Sequence, residues 1–243
     1  MSVRTQFLAE TAKPPERIDV ERCALLYAAA LQPGLQIDDA MRALDDQVNG
    51  FLAAHPGFEA RAPLNSRYLV ALVGDVLGYA GDSVEYYSPD NSLLDRVIET
   101  RLGIPITLAA IYIAIGKRLG IGVRGVGFPG HFLIRVTEPD GAETVVDPFS
   151  HAIVGTAQLR HMCEEAARRF GGFDPRWLED AHPHDMLVRM LENLKGVCLR
   201  GNDPAAAQTC LDYQLLLKPD DAYLLRQLQA FMKNSRNDGP RLN

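Results

Sequence analysis

The sequence predicts an α+β chain, helix-rich at both ends, with one buried helix against a small antiparallel sheet in the middle. Three observations predict it. Apolar residues recur at helical spacing from Ile18 to about Gly81 and again from Asp185 onward; a run apolar nearly all round follows Pro105; and between residues 122 and 147 the period shortens from 3.6 to 2.

Each element follows from local chemistry. Glu21–Leu31 is Ala/Leu-rich, Met41, Leu44, Val48, Phe51 and Leu52 continue the helical spacing, and the breakers Gln32-Pro33-Gly34, His55-Pro56-Gly57 and Pro63 divide these helices. In the segment 88–101, Asn91 or Ser92 can cap a short helix by accepting from an orphan N–H, and Gly103 closes it. Pro105 suits the first turn of the next helix, where a missing N–H costs nothing. The run from Pro105 to Gly116 lacks a polar face, so it belongs in the middle of a fold. Residues 122–127, 131–137 and 143–147 read as short strands, the last two joined through an Asp140-Gly141 turn. Helices return at Asp185, broken at Asn202-Asp203-Pro204 and Pro219, and the polar tail frays. The expected division is a helical region 1–100, a core 101–180 and a helical tail 185–243.

Composition narrows the partners. The chain has 243 residues, 47% of them apolar and 23% charged, long enough for a core without disulfides and far from a disordered composition. With 25 basic and 31 acidic residues the formal net charge is −6, which argues against nucleic acid. No apolar run approaches the roughly 20 residues a bilayer requires, so no membrane is expected. The start of the chain lacks an apolar export segment, and Cys23, Cys163, Cys198 and Cys210 show no paired spacing. A cytoplasmic location with reduced thiols is expected, and no metal or other cofactor.

The chemistry concentrates on His131 and Asp147. A hairpin loop with an odd number of residues, Thr137–Gly141 or Glu138–Ala142, puts both on one sheet face, opposite or diagonal, within reach of a His-to-carboxylate hydrogen bond. A one-residue slip would separate them. An imidazole oriented by a carboxylate is the base half of a nucleophilic triad, although a strand-end His and a turn-forming Asp also occur for structural reasons. His151, His161, His182 and His184 lack ligand spacing.

The linked signatures Gly103-Ile104-Pro105, Gly127-Phe128-Pro129-Gly130-His131-Phe132 and Val146-Asp147-Pro148-Phe149 resemble the SirB-type (invasion-regulator) branch of the transglutaminase-like superfamily, a papain-like fold. The tail resembles a tetratricopeptide-like extension, with Leu191, Leu194, Cys198, Ala207, Leu211 and Pro219 on its pattern and Lys195 and Gln214 where small residues are preferred. The resemblance implies a Cys-His-Asp order in which His131 and Asp147 take the last two places. The cysteine place falls on Pro105, which has no group to ionise.

The first functional expectation is therefore a pseudoenzyme whose cleft, lined by Pro105, Ile106, Thr107, His131 and Arg135, binds a peptide or protein. The second is an amidase, peptidase or acyl transferase in which Thr107 or water is activated by His131 and Asp147. The third is a helical scaffold acting through the tail. Arg135 shares a strand face with His131 and is a candidate anion contact, or else a solvated strand arginine.

Overall fold

The computed structural model describes residues 1–55 and 64–237. The expected breaks at Pro56-Gly57 and Pro63 and the tail beyond Asn237 lie outside them. Helices α1 (Val3–Thr11), α2 (Val20–Leu31), α3 (Ile37–Ala54) and α4 (Ser66–Val70) open the chain, the last running into a π-helical stretch Ala71–Val76. The short strand β1 (Ala80–Gly81), helix α5 (Leu94–Thr100) and short strand β2 (Leu102–Gly103) lead to the central helix α6 (Pro105–Leu119). Strands β3 (Val123–Val126), β4 (Leu133–Thr137), β5 (Glu143–Asp147) and β6 (Ala152–Ile153) form one antiparallel sheet in that order. Helices α7 (Thr156–Phe170), α8 (Pro183–Arg200), α9 (Pro204–Leu217) and α10 (Ala222–Asn237) follow. This is the expected α+β architecture.

The central helix is what its sequence demands. Pro105 occupies the first position, Gly120 ends the helix in the left-handed region (φ 71°), and Ile106, Leu108, Ala109, Ala110, Ile111, Tyr112 and Ile115 are buried. The sheet has two covered faces. Ile134, Val136 and Val146 share the main core with α6, while Val126 and Leu133 pack against Ala166 of α7 and against Trp177. Gly116 lets the helix approach the sheet closely: a Cβ there would lie 2.5 Å from Val123 Cγ2.

Three local expectations need correction. Neither Asn91 nor Ser92 caps α5; residues 89–92 form a 3₁₀ turn, Leu93 precedes the helix without a side-chain cap, and the Asn91 amide donates to Asp82 and to the Glu85 carbonyl. Helix α5 stops at Thr100 rather than Gly103, with Arg101 in the left-handed region, and Leu102–Gly103 instead pairs in parallel with Ala80–Gly81. After the sheet, helices return at Thr156 with α7 rather than at Asp185, and the next, α8, starts at Pro183 with the His182 ring accepting from His184 N–H.

Tail and core share one apolar cluster. Met186, Leu187, Met190, Leu191 and Leu194 join Leu25, Leu26 and Ile111, and Phe7 meets Tyr213 edge-on at 4.9 Å. Between α8 and α9 the ammonium of Lys195 is buried, donating to Glu192 (2.6 Å) and to the Gln214 carbonyl oxygen (2.8 Å), while the Gln214 amide donates to Val188 O and Glu192. Each of these polar groups depends on the others. Replacing Lys195 by Met should cost about 1–3 kcal/mol, because Gln214 keeps a buried acceptor with no donor. The double change Lys195→Met, Gln214→Leu should recover most of that loss in urea unfolding; additive losses would refute the coupling.

Candidate functional site

The hairpin register joins the acid and the base. Thr137 pairs with Glu143, leaving the five residues 138–142 in the loop, and Arg135 pairs with Val145. Extended by one step, the register sets Asp147 opposite Leu133 and His131 on the diagonal of the same face. Gly141 (φ 85°) provides the left-handed residue of the turn, and the Asp140 side chain accepts from Ala142 N–H. The outcome is a contact of 2.9 Å between His131 Nε2 and Asp147 Oδ1, with the side chains 26% and 17% exposed.

Asp147 is held on every side. Its Oδ1 also accepts from Phe149 N–H at 2.9 Å, and Oδ2 accepts from the Ser150 hydroxyl at 2.7 Å. Burial alone would raise its pKa, but the hydrogen bond and charge of His131, with Ser150 and Phe149, outweigh that and hold the carboxyl below its ordinary value. A depressed folded-state pKa adds stability that is present above the unfolded value of about 3.9 and is lost as pH falls through the folded value. Asp147→Asn should therefore flatten the acid side of the stability curve below about pH 4, read as urea midpoints against pH. An unchanged acid slope would refute it.

Because Asp147 takes Nε2, the ring nitrogen left over is Nδ1, and among the described residues no protein partner claims it. The loop that presents the ring is fixed from beneath. Gly130 adopts φ 74°, Phe128 and Phe132 are buried, and the Arg189 guanidinium donates to Phe128 O (3.0 Å) and His131 O (2.8 Å).

The start of α6 is closed rather than open. Pro105, Ile106 and Thr107 are all buried, which corrects their expected place in the lining of a cleft. The Thr107 hydroxyl donates to Asn91 O (2.8 Å) and accepts from Ile104 N–H (3.1 Å), so it is a capping group and no nucleophile. The β1–β2 pair lies over this end, Asp82 N–H reaches Gly103 O, and the Phe149 ring packs on Gly81, where a Cβ would come within 2.5 Å of Cδ2. The helix's leading N–H groups are thus no open anion site.

Arg135 is likewise corrected. It donates to Leu178 O (2.6 Å) and pairs with Asp180 (3.0 Å) and Glu143 (3.4 Å), leaving little for a ligand. Burial raises the thiol pKa of Cys23, and no cysteine is among the partners of His131 in the described residues. His184 Nε2 lies 2.9 Å from Thr11 O, His161 lies beside Glu165, and among the described residues no three His, Cys, Asp or Glu side chains gather as a metal-holding group.

Sequence reasoning weighed His151 only as a metal ligand and missed its place beside the central helix. His151, itself left-handed (φ 54°), sets Nδ1 2.6 Å from the Tyr112 hydroxyl on α6, and burial lowers its pKa. The signal was its position four residues after Asp147, on the same turn. Arg189 and Tyr86 were also missed, since both come from distant segments.

Residues 28–192, about two thirds of the chain, match the transglutaminase-like superfamily. A UPF0162 protein of Xylella fastidiosa (strain 9a5c) is 39% identical over 173 residues, covering 68% of this chain and 60% of that protein. A UPF0162 protein of Vibrio cholerae is 28% identical over 149 residues, 61% of this chain and 55% of its own. Human F-box only protein 21 is 30% identical over 132 residues, 49% of this chain and 21% of that protein. The chain spans 60% and 55% of the length of the two bacterial relatives. By the extent of the family match, this chain belongs to the transglutaminase-like superfamily.

Proposed function

We propose that this is a non-catalytic member of the superfamily, of the SirB-type branch, that binds a peptide or protein ligand beside His131 in a regulatory, cytoplasmic role. The observation that carries the reading is the pairing of an intact, oriented His131–Asp147 dyad with Pro105, buried and unionisable, at the nucleophile's place. An acyl transfer through sulfur has no atom to begin on. The dyad keeps a polar, directional surface at which an amide can be held. The matched stretch also occurs as a small part of a much longer F-box protein, which supports a module used in several contexts.

The tail fits a tetratricopeptide-like pair in this reading. Leu191 and Leu194 of α8 and Ala207 and Leu211 of α9 are buried, with Lys195 and Gln214 joined by a buried polar bond where that pattern prefers small residues. Among the described residues, no helix is long and apolar enough to cross a membrane.

One observation favours an enzyme instead: the free Nδ1 of an acid-oriented imidazole can take a proton from water. A screen of amide and ester substrates, wild type against His131→Ala, separates the two. The proposal expects no turnover that depends on His131. Hydrolysis abolished by the substitution would establish the enzyme.

A further inference from the structure

Arg189 is an anomaly among the arginines. Arg22, Arg96, Arg118, Arg124 and Arg135 are also half-buried, and every one of them pairs with a carboxylate within 4 Å. Arg189 pairs with none among the described residues, in a chain whose acids outnumber its bases. Its guanidinium meets only two carbonyl oxygens, Phe128 O and His131 O, and the face of Phe132, whose ring centre lies 5.3 Å away. Carbonyl dipoles and a ring face soften the cost of withdrawing the charge from water but do not neutralise it. Of its five N–H donors, two are used, one on each terminal nitrogen, and the other three have no partner among the described residues; a guanidinium pairs with carboxylates in general.

The surroundings suit a ligand. His131 stands on the same loop, and the carboxylate nearest to it, Asp147, is committed to the His131 ring, to Phe149 N–H and to the Ser150 hydroxyl, so it is not spent on the guanidinium. Tyr86, exposed, meets the Phe149 ring at a tilt (6.1 Å between ring centres, 58° between planes), and Arg189 is near enough to act on the Tyr86 phenol electrostatically. We infer that Arg189 is the receptor for a carboxylate of the ligand bound beside His131, supplied by a peptide's C-terminus or by an acidic side chain. This rests on the proposed reading of the site as a binding cleft and deepens it by naming the group recognised.

The test is a titration of the full chain, followed by NMR of the His131 imidazole and the Tyr86 ring. The probes are N-acetyl-Ala-Phe with a free carboxylate, its C-terminal amide, and N-acetyl-Glu-amide. The inference expects saturable shifts with at least one carboxylate probe, at least about tenfold weaker binding of the neutral amide, and weakening with salt. The two acidic probes distinguish a terminal from a side-chain carboxylate. Arg189→Met should remove the preference for carboxylate, and Arg189→Lys should retain part of it. A purely structural clamp predicts something different: His131 signals displaced in the unliganded Met variant and an unchanged carboxylate-to-amide ratio. Equal binding of amide and acid would overturn the carboxylate assignment while leaving a ligand cleft standing. No saturation by either acidic probe would overturn it as well, and the substrate screen judges the cleft reading separately.

Discussion

Arg118→Met should lower the unfolding free energy by about 3–5 kcal/mol near neutral pH, because it strands an ionised acid in the core. Arg118, in the last turn of α6, holds both Glu21 oxygens with NH1 and NH2 (2.7 and 3.0 Å) and Asp45 with Nε (2.6 Å). Glu21 is buried on α2, so the bond ties the first layer of helices to the central one. Burial raises the Glu21 pKa, and Arg118 is the main force opposing that rise. Without the guanidinium the carboxyl rises further. A raised folded-state pKa carries stability that is present below the unfolded value and lost as pH climbs through the folded one. The deficit of the variant should therefore shrink on going from neutral pH to about pH 5, and Glu21→Gln in the same background should recover part of it. Urea midpoints at both pH values read this directly; a loss under about 1 kcal/mol at neutral pH would show that water reaches the pair and screens it.

The contrast between what was readable in the sequence and what was not follows the range of the forces. Helix α6 was legible because an apolar run with Pro105 at its head admits one placement. The His131–Asp147 contact was legible because strand parity and an odd loop suffice to bring two residues to one face. Both arguments are local. The roof over α6 was not legible: it depends on the Thr107 hydroxyl meeting Asn91 O, on two-residue strands, and on a Phe149 ring seated against Gly81. Nothing in any of those short segments announces its partner. Helix α7 escaped for a different reason. Gly155 precedes it without a side-chain cap, and its charged residues hide the spacing of Leu159, Met162 and Ala166, which pack beneath the sheet. Arg135 followed the strand alternation correctly, yet its role was decided by Asp180, a residue beyond that helix.

That roof makes Pro105→Cys a sharper experiment than a simple restoration. If sulfur were all that the site lacked, the new thiol would sit at a helix N-terminus near an oriented imidazole, two features that lower a thiol pKa and speed its reactions. The packing argues the other way. Position 105 is buried with Ile106 and Thr107, and burial raises the pKa of the native Cys23 thiol, as it should at any similarly dry position. The expected result is no turnover of amide or ester substrates. Alkylation of the new thiol by iodoacetamide, followed by mass spectrometry of its peptide, should be at least about 100-fold slower in the folded chain than in urea, which corresponds to an opening free energy of about 2.7 kcal/mol. Thinning the roof should matter as much as adding the sulfur. Phe149→Ala in the Pro105→Cys background removes the ring that closes over Gly81 and should accelerate alkylation several-fold, whereas His131→Ala should leave the rate unchanged. Fast alkylation of the single variant, slowed by His131→Ala, would mean that imidazole and position 105 already share an open cleft, and that proline alone silenced an otherwise intact enzyme.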